Sequence, residues 1–223
     1  IHHPPVDANM VQLSQGAHPA QQRLIFEELV AHQVSLLTRR AYIQQIEAPS
    51  FSPSKKYAKA LLSTLPFEMT GAQKRVSKEI ADDLKLNKPM LRLVQGDVGA
   101  GKTLVAGVAA CHALEEGWQV ALMAPTEILA EQHYLNFKKW FEPLGLSVSW
   151  LSGKQKGKAR AAAEQIIKDG SAHLIVGTHA LFQENVEFAK LGLVIIDEQH
   201  RFGVDQRLAL RNKGLDGMTP HQL

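Results

Sequence analysis

The stretch GDVGAGKT, residues 96–103, has the residue types and the spacing of a phosphate-binding loop. It matches the pattern G-x-x-x-x-G-K-S/T and lies between a predicted strand (90–96) and a predicted helix (102–116), which is the context that the pattern requires. Its glycines let the backbone turn tightly, so that N–H groups can surround phosphate oxygens at a helix N-terminus. The predicted nucleotide-binding residues of this loop are Gly96, Asp97, Val98, Gly99, Ala100, Gly101, Lys102 and Thr103.

Two adjacent acids, Asp197 and Glu198, directly follow the apolar run 191–196. Two acids after a strand are by themselves commonly a solvated loop, but together with a phosphate loop they predict a hydrolytic site. Asp197 would hold Mg²⁺ with the hydroxyl of Thr103, and Glu198 would orient the attacking water. Lys102 would neutralise the β- and γ-phosphates, so the predicted cofactors are ATP and Mg²⁺.

The stretch LPFEMTGAQ, upstream of the phosphate loop, allows two interpretations. Gln73 can read the adenine edge with its amide, with Phe67 as an apolar contact to the nucleotide. Thr70 and Gln73 also have the spacing of a capping box, which would explain both residues by helix initiation alone. The sequence leaves these alternatives open.

Helical and apolar strand-like segments alternate from Thr70 onwards, and the strands are apolar on both sides. This alternation predicts an α/β fold with a P-loop RecA-like parallel sheet and helices on both faces. Residues 1–66 differ, because proline-bearing stretches flank one helical segment (19–45) with a single apolar stripe. We therefore predict a helical connector at 1–66 and a nucleotide-binding domain at 67–223.

The composition narrows the class of protein. Apolar residues make up 45% of the 223 residues, which is enough for a buried core. No apolar run reaches the ~20 residues of a membrane span. The one cysteine, Cys111, excludes an internal disulfide and favours a cytoplasmic location. The net charge of +3 permits a nucleic-acid partner without requiring one.

The order of PFEMTGAQ, GDVGAGKT, APTEILAEQH, GTHALFQ and DEQH resembles the first-half motifs of superfamily 2 helicases. DEQHRFGVDQR is similar to the branch that contains RecG and the transcription-repair coupling factors, and Gln199 with HPAQQRLIFEEL resembles the RecG family. The resemblance implies ATP-driven remodelling of branched DNA and of stalled replication forks. It also implies a longer protein, called the parent below, with a wedge domain before this chain and a second motor domain after it.

Three predicted strand ends carry hydroxyl side chains, those of Thr126, Ser152 and Thr178. Because parallel strands end on one edge of the sheet, we expect each to start a helix there and to bind the DNA backbone. The resemblance implies DNA-binding or coupling roles for these residues and their neighbours, and for Gln199 and the residues after it. The full set is Pro125, Thr126, Gln132, Ser152, Gly153, Gly177, Thr178, His179, Gln199, His200 and Arg201.

The basic run KQKGKAR, residues 154–160, has two interpretations. It is either a solvated face or a contact to the phosphate backbone, since cations at the start of a helix oppose its dipole. Three other functions are alternatives for the whole chain: a coupling-factor-like translocase, a regulatory ATP-binding module without translocation, and a segment that only carries the wedge domain.

The resemblance further predicts that the chain stops before the strand between residues 90–96 and residues 191–196. The isolated chain should then expose unpaired strand edges and have a poorly supported phosphate loop. We also expect it to bind nucleotide weakly and to show negligible DNA-stimulated hydrolysis, because the resemblance places an arginine finger in the second motor domain.

Overall fold

The computed structural model describes residues 8–43, 45–97, 99–203, 209–210 and 213–223, in two compact units, Ile1–Gln45 and Ile46–Leu223. The first unit contains helices α1 (Met10–Ser14) and α2 (Pro19–Ile43), which confirms the predicted long helix. The apolar stripe of α2 is exposed: Phe26, Leu29, Val30, Val34 and Leu37.

The second unit is a parallel sheet with helices. Its helices are α3 (Tyr57–Ser63), α4 (Gly71–Leu84), α5 (Lys102–Glu115), α6 (Glu127–Phe141) and α7 (Gly157–Lys168). Its strands are β1 (Gln119–Met123), β2 (Val148–Leu151), β3 (Leu174–Gly177), β4 (Leu191–Ile196) and β5 (His221–Gln222). The strand order is β2-β3-β1-β4-β5 and all the pairings are parallel, which confirms the predicted sheet.

An apolar cluster covers each face of the sheet. Successive side chains of a strand point to opposite faces, so neighbouring residues join different clusters. In β1, Val120 and Leu122 belong to the apolar cluster that also contains residues of α3, α4, α5 and α6. Ala121 and Met123 belong to a second cluster, which contains the buried residues of α7. This alternation confirms the prediction of helices on both faces, and it explains why the strands read as continuous apolar runs.

The compact unit begins earlier than the predicted domain boundary at residue 66. Phe51 and Leu61 are completely buried in the larger core, and the ring of Phe51 lies 6.0 Å from that of Trp118. The sequence suggested a connector here because prolines flank these residues, yet burial of apolar side chains outweighs that local signal. The division of the chain into a connector (1–66) and a motor domain (67–223) stays a prediction.

The segment predicted as the strand before the phosphate loop is only partly strand-like. Within the described residues, Leu91 forms an isolated parallel bridge with Gln222, and both Leu91 and Leu93 are exposed. The apolar residues of this segment therefore predicted a longer strand than the structure contains.

The chain's last residues occupy the place between this segment and β4, which corrects the expectation that the intervening strand is wholly absent. The N–H of Gln222 donates to the carbonyl of Met90 (2.8 Å), and the N–H of Arg92 donates to the carbonyl of Gln222 (3.1 Å). On the other side, the N–H of Leu223 donates to the carbonyl of Val194 (2.9 Å). The phosphate loop is thus connected to the sheet through residues 221–223.

Cys111, the one cysteine of the chain, is buried in α5, and burial raises the pKa of its thiol to about 12. Across the described part of the chain, no helix combines the length and the apolar character needed to span a membrane.

His221 is a buried histidine that the motifs did not single out. Its Nδ1 accepts a hydrogen bond from the N–H of Met90 (3.0 Å), and its Nε2 lies 2.5 Å from the carbonyl oxygen of Pro49. The neutral ring, protonated at Nε2, satisfies both contacts, whereas a proton on Nδ1 would face the N–H of Met90. Burial lowers the pKa of His221.

We therefore expect the 223-residue chain to lose stability as the pH falls below about 6.5, the pKa of an unfolded histidine. The unfolded chain then binds more protons than the folded one, so acid favours unfolding; above that pH the contribution of His221 is fully present. Thermal unfolding at pH 7.5 and 5.5 measures the effect. His221→Gln should reduce the difference in melting temperature, and His32→Gln, at an exposed histidine, should not. An unchanged difference in His221→Gln would contradict this assignment.

Candidate nucleotide-binding site

A cavity of about 590 Å³ brings the predicted catalytic residues together at one end of β4. Its lining includes Gly96, Lys102 and Thr103 from the phosphate loop, and Asp197 and Glu198 from the segment after β4. These groups are almost a hundred residues apart in sequence. The fold therefore places them as the motifs predicted, although their catalytic roles stay predictions.

The backbone of the phosphate loop needs glycine at two positions. Gly99 and Gly101 have φ angles of +82° and +78°, in the left-handed region that favours glycine. Gly101 is the N-cap of α5, and its carbonyl accepts the N–H groups of Leu104 and Val105. Val98, a predicted contact, lies outside the described residues.

Lys102 points back over the loop. Its Nζ donates to the carbonyl oxygens of Gly96 (2.6 Å) and Asp97 (3.0 Å). The ammonium group is thereby held beside the backbone turn that precedes α5. A phosphate that enters this turn would meet a cation and the N-terminus of a 14-residue helix.

Asp197 is held ionised by its neighbours. Its Oδ2 lies 2.7 Å from Nε2 of His133, and its Oδ1 accepts the N–H of Glu198 at 3.1 Å. The hydrogen bond from His133 lowers the pKa of Asp197, and the positive charge of Lys102 acts in the same direction. Burial opposes both effects without reversing them. An acid kept deprotonated in this way suits a cation-binding role.

Glu198 has an unusual backbone conformation. Its φ angle of +52° lies in the left-handed region, which is uncommon for a residue other than glycine. Such a conformation costs on the order of 1–3 kcal/mol and occurs preferentially at functional sites. It turns the chain into the short 3₁₀ turn Gln199–Arg201, and Nδ1 of His200 lies 3.4 Å from Oε2 of Glu198.

The donor set fits a magnesium ion that is completed by a nucleotide. Within the described residues, no group of three or more His, Cys, Asp or Glu side chains could hold a metal ion. Thr103, which has a hydroxyl, and Asp197, which has a carboxylate, both line the same cavity. Magnesium in phosphate sites commonly takes one or two such oxygens, with the phosphate and water supplying the others.

Gln73 takes part in the capping box that the sequence suggested. The N–H of Gln73 donates to Oγ1 of Thr70 (3.3 Å), and Oε1 of Gln73 accepts the N–H of Thr70 (2.8 Å). Nε2 of Gln73 additionally donates to the carbonyl of Ala100 in the phosphate loop (2.9 Å). The capping interpretation is thus confirmed, the adenine contact stays a prediction, and Phe67 is 57% exposed nearby in sequence.

An alanine at position 73 separates the two roles in the parent. If Gln73 reads adenine, Gln73→Ala should weaken ATP binding more than GTP binding. If it only caps α4 and supports the loop, both nucleotides should lose affinity equally, and the helix should lose about 1 kcal/mol of stability. Competition binding of ATP and GTP measures the difference, with Lys78→Ala, at an exposed residue of α4, as the control.

The three hydroxyl residues at the strand ends differ from one another, and the expectation that each begins a helix is wrong for Ser152. Oγ1 of Thr126 caps α6 by accepting the N–H of Leu129 (3.3 Å). The hydroxyls of Ser152 and Thr178 instead donate to the carboxylate of Glu127, at 2.6 and 3.2 Å, and both residues are buried. Thr178 directly precedes the 3₁₀ helix His179–Phe182 but does not cap it with its side chain, whereas α7 begins five residues after Ser152.

The other residues predicted for DNA binding or coupling lie in varied positions. Gly177 is buried in β3, where a side chain would collide with the backbone of Leu151. Gly153 lies beside the exposed His179, whose ring a Cβ at 153 would meet at 3.2 Å. The remaining members are half-buried or exposed: Pro125, Gln132, Gln199, His200 and Arg201. Their contacts to DNA stay predictions.

The basic residues of the run 154–160 fall into two groups, one bonded within the fold and one exposed. Arg160 is bonded to Glu164 (2.5 Å), to the carbonyl of Ser152 (3.3 Å) and to Gln183 (2.9 Å), so it holds the fold together. The exposed lysines are Lys154, Lys156 and Lys158. Only these three stay available for the phosphate backbone.

Two functional candidates, Glu127 and His133, were not predicted from the motifs, although both lie in the stretch APTEILAEQH. Their partners come from other strand ends, 25 to 64 residues away in sequence. The available signal was the presence of a carboxylate and an imidazole in a helix that directly follows a buried strand.

Comparison with known proteins agrees with this geometry. The family model described as DEAD/DEAH box helicase matches residues 70–221. The chain is 58% identical, over its whole length, to proteins called ATP-dependent DNA helicase RecG from Escherichia coli O157:H7 and from Haemophilus influenzae, and it spans 32% of each. A solved structure of RecG bound to a three-way DNA junction is 40% identical and matches with a TM-score of 0.79, over 91% of this chain and 27% of that one. The resemblance to RecG is therefore confirmed, and the chain belongs to the DEAD/DEAH box helicase family.

Proposed function

We propose that this chain is the first, ATP-binding motor half of a RecG-like DNA helicase that remodels branched DNA and stalled forks by ATP hydrolysis. The observation that carries the proposal is the convergence of Lys102, Thr103, Asp197 and Glu198 on one cavity. The chain spans about a third of the RecG proteins it matches, so translocation is a property proposed for the parent.

The residues of the cavity divide the chemistry among them. Magnesium, when bound, would supply positive charge to the transferring phosphate. Thr103 and Asp197 would hold the ion, while Lys102 would stabilise the charge that develops on the phosphate. Glu198 would orient the attacking water as a general base.

DNA would bind through its backbone along the edge formed by the strand ends. Exposed groups there include the side chains of Gln132, Lys154 and His179. Contacts of this kind position the protein without reading sequence, which suits a protein that moves along DNA.

The other domains of the parent would complete the machine. The turn Gln199–Arg201 follows the two acids directly and would face the second motor domain, which would supply the arginine finger. The wedge domain would engage the junction. A cytoplasmic location is proposed with this function.

ATP turnover by the parent, with and without a three-way DNA junction, tests the proposal. We expect the junction to raise turnover, and we expect this stimulation to fall as salt increases, because backbone contacts release counterions. If DNA leaves the rate of ATP turnover unchanged at every salt concentration, the regulatory ATP-binding module is favoured. Stable binding of RNA polymerase by the parent would favour the coupling-factor-like translocase.

A further inference from the structure

His133, on helix α6, contacts Asp197, the acid that we predict to bind magnesium. It lies in the second turn of α6, its side chain is 13% exposed, and its Nε2 is 2.7 Å from Oδ2 of Asp197. An ionised carboxylate can only accept, so Nε2 carries the proton. The ring packs edge-on against Phe137, with 6.4 Å between centroids, which restricts its rotation.

The two contacts of Asp197 fix both of its oxygens. Oδ2 accepts a hydrogen bond from Nε2–H of His133, and Oδ1 accepts one from the backbone N–H of Glu198. A carboxylate held in this way presents its remaining lone pairs in one orientation. Groups that orient a metal-binding carboxylate typically contribute 10- to 100-fold to metal affinity or activity.

The same helix is fastened to the strand-end edge at its first residue. The carboxylate of Glu127 binds the hydroxyls of Ser152 and Thr178, which belong to the ends of β2 and β3. His133 lies six positions after Glu127, which is about 9 Å along a helix. One rigid element therefore connects the edge proposed for DNA with the acid proposed for magnesium.

We propose that His133 is a positioning residue that holds Asp197 for magnesium, and that α6 makes this hold depend on contacts at the strand-end edge. The inference rests on the proposed function and deepens it. It assigns the link between DNA and ATP hydrolysis within this motor half to one side-chain hydrogen bond and one helix.

The first test measures metal binding directly. Mn²⁺ binding to the parent with ADP is followed by the loss of the free-ion EPR signal, for wild type, His133→Ala, His133→Gln and the exposed control His32→Ala. We expect His133→Ala to weaken Mn²⁺ binding by about 10-fold or more. His133→Gln retains an N–H near the position of Nε2 and should restore affinity to within a few-fold. His32→Ala should behave as wild type.

The second test adds a three-way DNA junction to the same titration. We expect DNA to tighten Mn²⁺ binding in wild type and to have little effect in His133→Ala, whose DNA-stimulated ATP turnover should also fall by about 10-fold or more. An equal DNA effect in both proteins, or none in wild type, would overturn the coupling.

Wild-type Mn²⁺ affinity in His133→Ala, or equal losses in the alanine and glutamine variants, would overturn the positioning role. Asp197→Asn separates this failure from a failure of the proposed function. If Asp197→Asn binds Mn²⁺ normally, Asp197 does not bind the metal, and both the proposed function of Asp197 and the inference about His133 are overturned. If Asp197→Asn loses Mn²⁺ while His133→Ala does not, only the inference is overturned.

Discussion

Replacing Lys102 by alanine in the parent should lower kcat for DNA-stimulated ATP hydrolysis by at least about 10²–10³-fold. The ammonium group is held over the phosphate loop by two backbone carbonyls, those of Gly96 and Asp97. In the proposed site, this places it beside the turn that would hold the transferring phosphate. Steady-state turnover at saturating ATP, with junction DNA present, measures the loss.

A matched lysine variant shows whether the loss is specific to the site. Lys139 is exposed on α6, so Lys139→Ala removes the same charge at a distance from the loop and should leave kcat unchanged. A Lys102→Ala parent that retains more than about a tenth of wild-type turnover would contradict the role given to Lys102.

Replacing Glu198 by glutamine should separate nucleotide binding from hydrolysis. We expect ATP to bind with nearly unchanged affinity and hydrolysis to fall by about 10²–10⁴-fold, because the amide cannot accept a proton from the attacking water. Glutamine has the size of glutamate and meets the same steric limits at the left-handed backbone angle of residue 198. The change therefore removes the carboxylate without adding a new steric conflict. Equilibrium binding of ATP and single-turnover hydrolysis report the two effects.

An exposed glutamate provides the control for this variant. Glu131→Gln, on the surface of α6, should retain both binding and hydrolysis. If the Glu198→Gln parent hydrolyses ATP at a rate close to that of wild type, Glu198 does not activate the water.

The parts of the fold and site that could be predicted are those encoded in short stretches. The glycines of the phosphate loop, the apolar runs of β1 and β4, and the capping box at Thr70 each follow from a few adjacent residues and local backbone physics. Convergence of Lys102 with Asp197 follows from the rule that parallel strands end on one edge.

The parts that could not be predicted depend on pairing between distant residues. The carboxylate of Glu127 takes the hydroxyls of Ser152 and Thr178, and nothing in the sequence near either hydroxyl indicates that partner. The contact between His133 and Asp197 likewise requires the packing of α6 beside the end of β4. Phe51 is buried although its neighbours in sequence are typical of a linker, because an apolar surface elsewhere in the fold covers it.

The pairing of residues 90–92 with residues 221–223 has a consequence for the order of folding. Met90 and His221 are hydrogen-bonded across 131 positions of sequence, and Gln222 supplies the ladder contacts of the same segment. Closing so large a loop costs conformational entropy before the contact can repay it. During synthesis, β1, β3 and β4 can associate first, while the segment that carries the phosphate loop must wait for residues 221–223, which are made after β4. A nascent chain would therefore become competent for nucleotide only after residues 221–223 have been made, and termination between β4 and residue 221 would yield strands β1 to β4 with an unanchored phosphate loop.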